Sequence, residues 1–518
     1  MQNEIIDAVQ EPENTATNAT RNHIRGSSLL LFGRLVMLGL NFGVQVLTVR
    51  YLTKSDFGAF SFAMSFVAVS AVVALFGLDK AVSRFVSIYH EQKDYARMFG
   101  TILMTFATIL FIGTVLVLVG LGMRNQIGSI FQTDALTVSL VMIVMVIGPI
   151  SALESYFQDM LAVFASVRSI FLRRFLLGPA LKLAAVVLVV LLKGDVHMLA
   201  FGYLVGSLFG IVVYAYIMVK VWYAQGLLQH FNPKKLIFPV REVYGFSVPL
   251  LTTDFLQVVK GSAVIMVLEY FRTSTEVAEY RAIVPVAGMN LVVMQSFRLL
   301  YTPMAARLYA NKDTKSINAL YWKTATWIAL ISFPVFVVTF SLAEPLVLLL
   351  FGDRYTQSGP LLALLSFGNY FNAALGFNAF TLRVYGKVKY IVLIDVLSSL
   401  LNLGLNFMLI PRYGAMGAAV GTCITLVAYN IFNHAGLLLG TGINLFERRY
   451  MLMYASILLA STGLIAFESI FRANIVISLL LAGVVSLALL RINRETLDVK
   501  NTFPELLRLP LLRPLLGF

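Results

Sequence analysis

A chain of 518 residues that is 59% hydrophobic and 13% charged, with a mean hydropathy of +0.83, is excluded from the ordinary soluble globules, in which about 25% of residues are charged. One cysteine, Cys423, rules out an intrachain disulfide and a cysteine metal site, and His23, His90, His197, His230 and His434 form no HxxxH pair, so neither a metal nor a cofactor is expected. The net charge of +14 raises nucleic acid as a partner, and its placement along the chain makes that reading unnecessary.

Residues 1–26 are polar, with Glu4, Asp7, Glu11 and Glu13 early, and lack the apolar core of a leader, so no cleavable signal peptide is expected. About fourteen apolar segments follow, at 27–51, 57–78, 99–122, 136–163, 176–192, 198–221, 245–269, 276–299, 322–342, 358–383, 389–410, 415–439, 450–467 and 473–490. A helix needs about 20 residues to cross hydrocarbon. Lipid tolerates only helices and closed barrels, and the period-two alternation of a barrel is missing, so the segments read as helices. The expected class is an all-α polytopic membrane protein.

Lysine and arginine give the orientation. Of the 40, 28 fall in the two tails, in one alternate set of loops or at the segment ends beside them, 8 fall in or beside the opposite set, and Arg34, Lys182, Lys260 and Arg281 lie deeper inside segments. Basic residues concentrate on the cytoplasmic side. The reading is a multi-pass protein of the cytoplasmic (inner) membrane with both termini inside, whose basic charge is loop bias and requires no nucleic acid.

The halves look alike. Segment one ends in VRYLTKSDFGAFSFAMSF and segment seven in LEYFRTSTEVAEYRAIVP: a helix, a tyrosine, a short Thr/Ser loop with a basic residue, an acid and a new helix. Two bundles of similar layout are common in transporters.

The stretch LLNLGLNFMLIPRYGAMGAAVGT resembles the N-x-x-L-N-x-x-L-I-P-x-x-G-x-x-G-A-A-x-x-T signature of polysaccharide transport proteins, the Wzx-type flippases of the multidrug/oligosaccharidyl-lipid/polysaccharide exporter superfamily. TKSDFGAFSFAMSF, FGLDKAVSRFVS, LLFGDRYTQSGPLLALL and VYGKVKYI resemble further motifs of that family in the same order, so the resemblance runs from about 27 to 440. It implies two pseudo-symmetric six-helix bundles around a central cavity plus two C-terminal helices. The expected division is an N-terminal tail 1–26, bundles 27–222 and 245–440 joined by a linker 223–244, two further helices within 441–490, and a tail 491–518. It also implies transport of a lipid-linked oligosaccharide from the cytoplasmic to the outer leaflet. One departure is Lys260 near the middle of segment seven, where many members carry an acid.

Such a substrate asks for cations for its pyrophosphate and amides or hydroxyls for its sugars. Charges inside hydrocarbon cost about 2.5–3.5 kcal/mol on insertion scales, so they face a cavity or a partner. Lys260 is the foremost candidate, its alternative being an ion pair with Asp254 or another buried acid. Arg34 and Arg281 are either phosphate ligands or snorkelling side chains, and Lys182 reads as snorkelling. Glu154, on a face with Ser151 and Gln158, pairs with Arg34, takes a coupling proton or makes a plain helix–helix ion pair; Asp254 is the second acid considered for ion coupling. Asp395, Ser399, Asn402 and Asn406 make a polar stripe at helical spacing, and Asn369 and Asn372 a second line in the preceding segment. Each is either interhelical glue or part of a wet inner wall that touches sugar.

No P-loop, no G-x-S-x-G and no large outer loop is present, so the chain reads as a non-enzyme. A MATE-like cation or drug antiporter asks for twelve helices and an acidic cavity. A membrane polymerase or ligase asks for a sizeable outer loop. The tail ETLDVKNTFPELLRLPLLRPLLGF lies on membrane lipid or meets another polysaccharide-assembly protein.

Overall fold

The computed structural model describes residues 33–164, 175–441, 448–471 and 474–497, and among them every regular element is a helix. The tail 1–26 and the leucine- and arginine-rich stretch beyond 497 lie outside the described residues. Among the described residues ten helices are long and apolar enough to cross a membrane, one of them, Val388–Leu439, holding two predicted spans. Helix 33–51 and the shorter Phe175–Leu191 match predicted segments one and five. The chain is an all-α multi-pass membrane protein. It divides into two compact units between Val258 and Val259.

The first unit contains α1 (33–51), α2 (Lys54–Leu75), α3 (Leu78–Glu91), α4 (Tyr95–Gly122), α5 (Arg124–Phe131), α6 (Ala135–Val144), α7 (Ile147–Phe164), α8 (Gly178–Leu191), α9 (Val196–Ala224) and the first part of α10 (Val240–Phe271). Hydropathy ends the second span near Leu78, where Asp79 and Lys80 begin, but the helix resumes as α3 and runs on to Glu91. Phe76 and Gly77 are both left-handed between α2 and α3, with φ of 52° and 68°. Gly77 sits so close to the Ser247 carbonyl that a Cβ there would touch it at 2.8 Å. Glycine is required on both counts. Helix α2 packs on α6 and α7, α3 on α4 and α7, and α9 on α7 and α8. Their shared core includes Leu78, Val82, Met98, Tyr156 and Met160. The buried Tyr156 hydroxyl donates to the Ile102 carbonyl at 2.9 Å, the partner a polar group needs in such a place.

The second unit takes up the rest of α10, α11 (Ser274–Gly288), α12 (Val292–Ala310), α13 (Thr314–Phe340), α14 (Ala343–Phe351), α15 (Ser358–Ala374), α16 (Asn378–Val384), α17 (Val388–Thr441), α18 (Arg448–Phe471), α19 (Ile475–Ile492) and α20 (Arg494–Leu497). Predicted segment ten is two helices, α15 and α16, parted at Gly376, whose φ is 83° and whose missing side chain makes room for Ala325. Helix α17 is two arms that break at Gly414 (φ 55°, ψ −134°).

That break explains the most specific motif in the chain. Pro411 removes a backbone donor, Gly414 adopts a conformation closed to other residues, and a Cβ on Gly417 would strike the backbone of Leu409 at 2.5 Å. The loop between α10 and α11 and the first turn of α11 secure the corner: Arg272 Nε donates to the Ile410 carbonyl at 3.2 Å, and the Ala415 amide donates to Glu276 Oε2 at 2.7 Å. Helix N-termini favour such an acid. In the first unit, Tyr51 at the end of α1 donates to the Gly194 carbonyl at 2.8 Å beside the corner before α9. Glu276→Ala strips the cap of the second arm, and a loss of about 1 kcal/mol is expected. It should appear as an apparent melting temperature about 2–4 °C lower in detergent; an unchanged value would show that the corner holds without it.

Candidate functional site

Helix α17 is turned with its polar side inward. Asp395, Asn402 and Asn406 are buried, whereas Leu393, Leu397, Leu400, Phe407 and Met408 are exposed. In lipid this is the economical arrangement, since leucine gains nothing by leaving hydrocarbon and an amide must find a partner. Asn406 donates to the Asn402 carbonyl at 2.7 Å, Ser399 to the Asp395 carbonyl at 2.6 Å, and Asn402 to Thr425 Oγ1 on the other arm at 3.3 Å.

A second amide chain joins α15, α16 and α17. Asn378 donates to Asn430 Oδ1 at 2.9 Å, and Asn430 donates to Asn372 Oδ1 at 3.1 Å. Close approach makes this possible: a Cβ on Gly368 would lie 3.2 Å from the Cα of Cys423. Asn369 donates to the Leu365 carbonyl of its own helix at 2.9 Å. The amides of Asn369, Asn372 and Asn402 thus all engage protein groups. Asn378, Asn430 and Asn433 were missed in the sequence, although Asn430 and Asn433 share a helical face.

Lys260 meets this wall. It stands eleven residues, about 16 Å of helix, from the end of α10, too far for easy snorkelling. Its Nζ lies 3.7 Å from Asp395 Oδ1 and 5.3 Å from the ring centre of Tyr429, with the two charged side chains 21% and 10% exposed. Tyr429 also interacts with Asp395 and Asn433. Two buried acceptors here, Asp395 Oδ1 and Asn433 Oδ1, have no hydrogen-bond donor among the described residues. The cluster therefore combines a cation, a carboxylate, an aromatic face and open acceptors within one unit.

Of the two partners considered for Lys260, the acid is another buried one and not Asp254. Asp254 is taken by Lys80 at 2.5 Å, in the first unit. The reason is helical phase: six residues along a helix do not share a face. Glu154 lines a crevice of about 60 Å³ with Gln158, Lys182, Tyr203 and Ser207, and a Cβ on Gly210 would collide with its carboxylate. The cation that acts on it electrostatically is Lys182. Arg34 lies in α1, and Arg281 is half-buried in α11 beside Tyr280, whose hydroxyl is 3.0 Å from Thr422 Oγ1; both arginines engage protein groups. Neither is shown to join Lys260. Among the described residues no group of three or more His, Cys, Asp or Glu is placed to hold a metal.

Comparison with known proteins fits this architecture. A family model described as polysaccharide biosynthesis protein matches residues 24–298, and one described as MatE matches 249–408. An uncharacterized membrane protein of Methanocaldococcus jannaschii is 22% identical over 415 residues, 77% of this chain and 80% of its own length. The capsular polysaccharide biosynthesis protein CapF of Staphylococcus aureus is 23% identical over 227 residues, 42% of this chain and 57% of CapF. Among solved structures, the lipid II flippase MurJ in an inward closed conformation aligns with a TM-score of 0.69 at 15% identity, covering 91% of this chain and 99% of MurJ. An inward-facing multidrug resistance MATE family transporter aligns with a TM-score of 0.61 at 15% identity, covering 78% and 93%. These neighbours are transporters and a flippase, not enzymes. With the first family model spanning more than half of its length, the chain belongs to the polysaccharide biosynthesis protein family.

Proposed function

We propose that this protein is a flippase that carries a lipid-linked oligosaccharide, borne on a polyprenyl pyrophosphate, from the cytoplasmic to the outer leaflet of the inner membrane by alternating access. Both termini are inside, 27–222 and 245–440 are the two bundles, and 441–490 supplies the two added helices. The observation that carries the reading is Lys260, a cation about 16 Å from its helix end, held beside an amide-bearing wall. A pyrophosphate seeks such a cation, and sugar hydroxyls seek the acceptors around it. In this reading Lys260, Arg34 and Arg281 hold phosphate, and Asn369, Asn372, Asn402 and Asp395 line the sugar path. Glu154 and Asp254 are the candidates for ion coupling, and each stands next to a lysine, so a coupling ion has to compete with an ammonium.

The test is flipping of a fluorescent polyprenyl-pyrophosphate oligosaccharide in proteoliposomes. Protein-dependent loss of quencher-accessible lipid from the labelled leaflet supports the proposal. The MatE match over 249–408, which contains both Lys260 and Asp395, favours one second reading, a cation or drug antiporter. A folded protein that flips none of several glycan lipids yet exchanges cations for protons would replace the first reading with the second.

A further inference from the structure

The pair between Lys260 and Asp395 is close and loose at once. At 3.7 Å the groups attract but are beyond hydrogen-bond reach, and the buried Asp395 Oδ1 accepts no hydrogen bond from any described residue. Tyr429 offers the ammonium a ring face at 5.3 Å, an interaction that leaves its N–H groups free to turn. Tight ion pairs at 2.7–2.9 Å are about twice as strong as neutral hydrogen bonds. A pyrophosphate that reaches Lys260 at that distance gains what the carboxylate does not supply.

We infer that Asp395 is a resident competitor for Lys260, occupying the cation in the empty site, yielding it to an anionic head group and reclaiming it on release. The inference rests on the reading in which Lys260 holds the pyrophosphate. Without a competitor, release would leave a bare ammonium among apolar helices, which is costly. A carboxylate fixed on the neighbouring helix acts at a high effective concentration and removes that penalty. Asp395 so lowers affinity and speeds turnover. It is a positioning residue whose effect passes through Lys260.

The experiment measures binding of radiolabelled farnesyl pyrophosphate, which carries the anion and no sugar, to the full chain in nanodiscs. Asp395→Asn, which keeps the shape and removes the charge, should bind roughly tenfold tighter, a gain of about 1.4 kcal/mol. Asp395→Glu should stay near wild type. In a Lys260→Met background, Asp395→Asn should bring no gain, because coupled residues are non-additive. Farnesyl pyrophosphate should also raise the melting temperature of Asp395→Asn more than that of wild type, a readout available even from a less stable variant. A purely structural acid predicts instead weaker or equal binding in Asp395→Asn, and that result overturns the inference, as does an equal gain in the Lys260→Met background or no binding by any variant. Flipping of the oligosaccharide lipid without tighter binding in Asp395→Asn removes the competitor alone. Tighter binding without flipping keeps the competitor and removes the oligosaccharide reading.

Discussion

Lys260→Met is expected to destabilise the protein by about 3 kcal/mol, and Lys260→Met combined with Asp395→Leu to recover most of that loss. Breaking one side of a buried ion pair leaves the other charge uncompensated, at about 3–5 kcal/mol, whereas replacing both sides with apolar groups is often neutral. The lower end applies because Lys260 keeps 21% of its side chain exposed. Unfolding in detergent checks it. Transport should behave differently: the apolar pair restores stability but not flipping, since no cation remains for the phosphates. Recovery of both in the double variant would show that Lys260 serves the fold and not the substrate. If Lys260→Met flips at the wild-type rate, the phosphate role of Lys260 is wrong whatever its stability.

The second large effect is expected at a glycine. A Cβ on Gly100 would fall inside the contact distance of the Ile237 carbonyl. The segment before α10 is clamped onto α4 there, with the Ile237 amide donating to the Ala96 carbonyl at 3.2 Å, His230 stacked on Tyr95 at 4.2 Å and Phe231 edge-on to Phe99 at 5.2 Å. A backbone carbonyl cannot rotate away as a side chain does. Gly100→Val should therefore cost about 3 kcal/mol and expose the 225–239 segment to protease. Gly122→Ala, at the end of the same helix with nothing within 4 Å, should change stability by about 0.5 kcal/mol or less. Equal behaviour of the two variants would mean that the clamp is not what holds this segment.

Most of the membrane layout was legible because hydrocarbon imposes a one-dimensional rule. Spans must be long, apolar and helical, and their count and limits follow from hydropathy with few exceptions. The exceptions have local causes: α3 continues the second helix past Asp79 and Lys80, where charge ends the apolar run but not the helix. Gly376 divides the tenth span because only a residue without a side chain fits against Ala325. The corner at Pro411 and Gly414 was visible as a motif, yet its fastening by Arg272 and Glu276 was not, since these lie more than 130 residues away.

The sequence by itself determined that this chain crosses a membrane as many helices and that a lysine in the middle of one of them must be answered by another group. Those conclusions need only the expense of charge in hydrocarbon and the length of a helix. The tertiary structure decided which group answers. Asp254, the nearer acid in the chain, faces Lys80, while Asp395, 135 residues on, faces Lys260. Spacing along one helix sets which residues share a face, but the register between helices is set by packing, by glycines such as Gly368 that let them approach, and by amides that must pair once buried. That is why a polar stripe can be read from a sequence while its partner is known only when the helices are together.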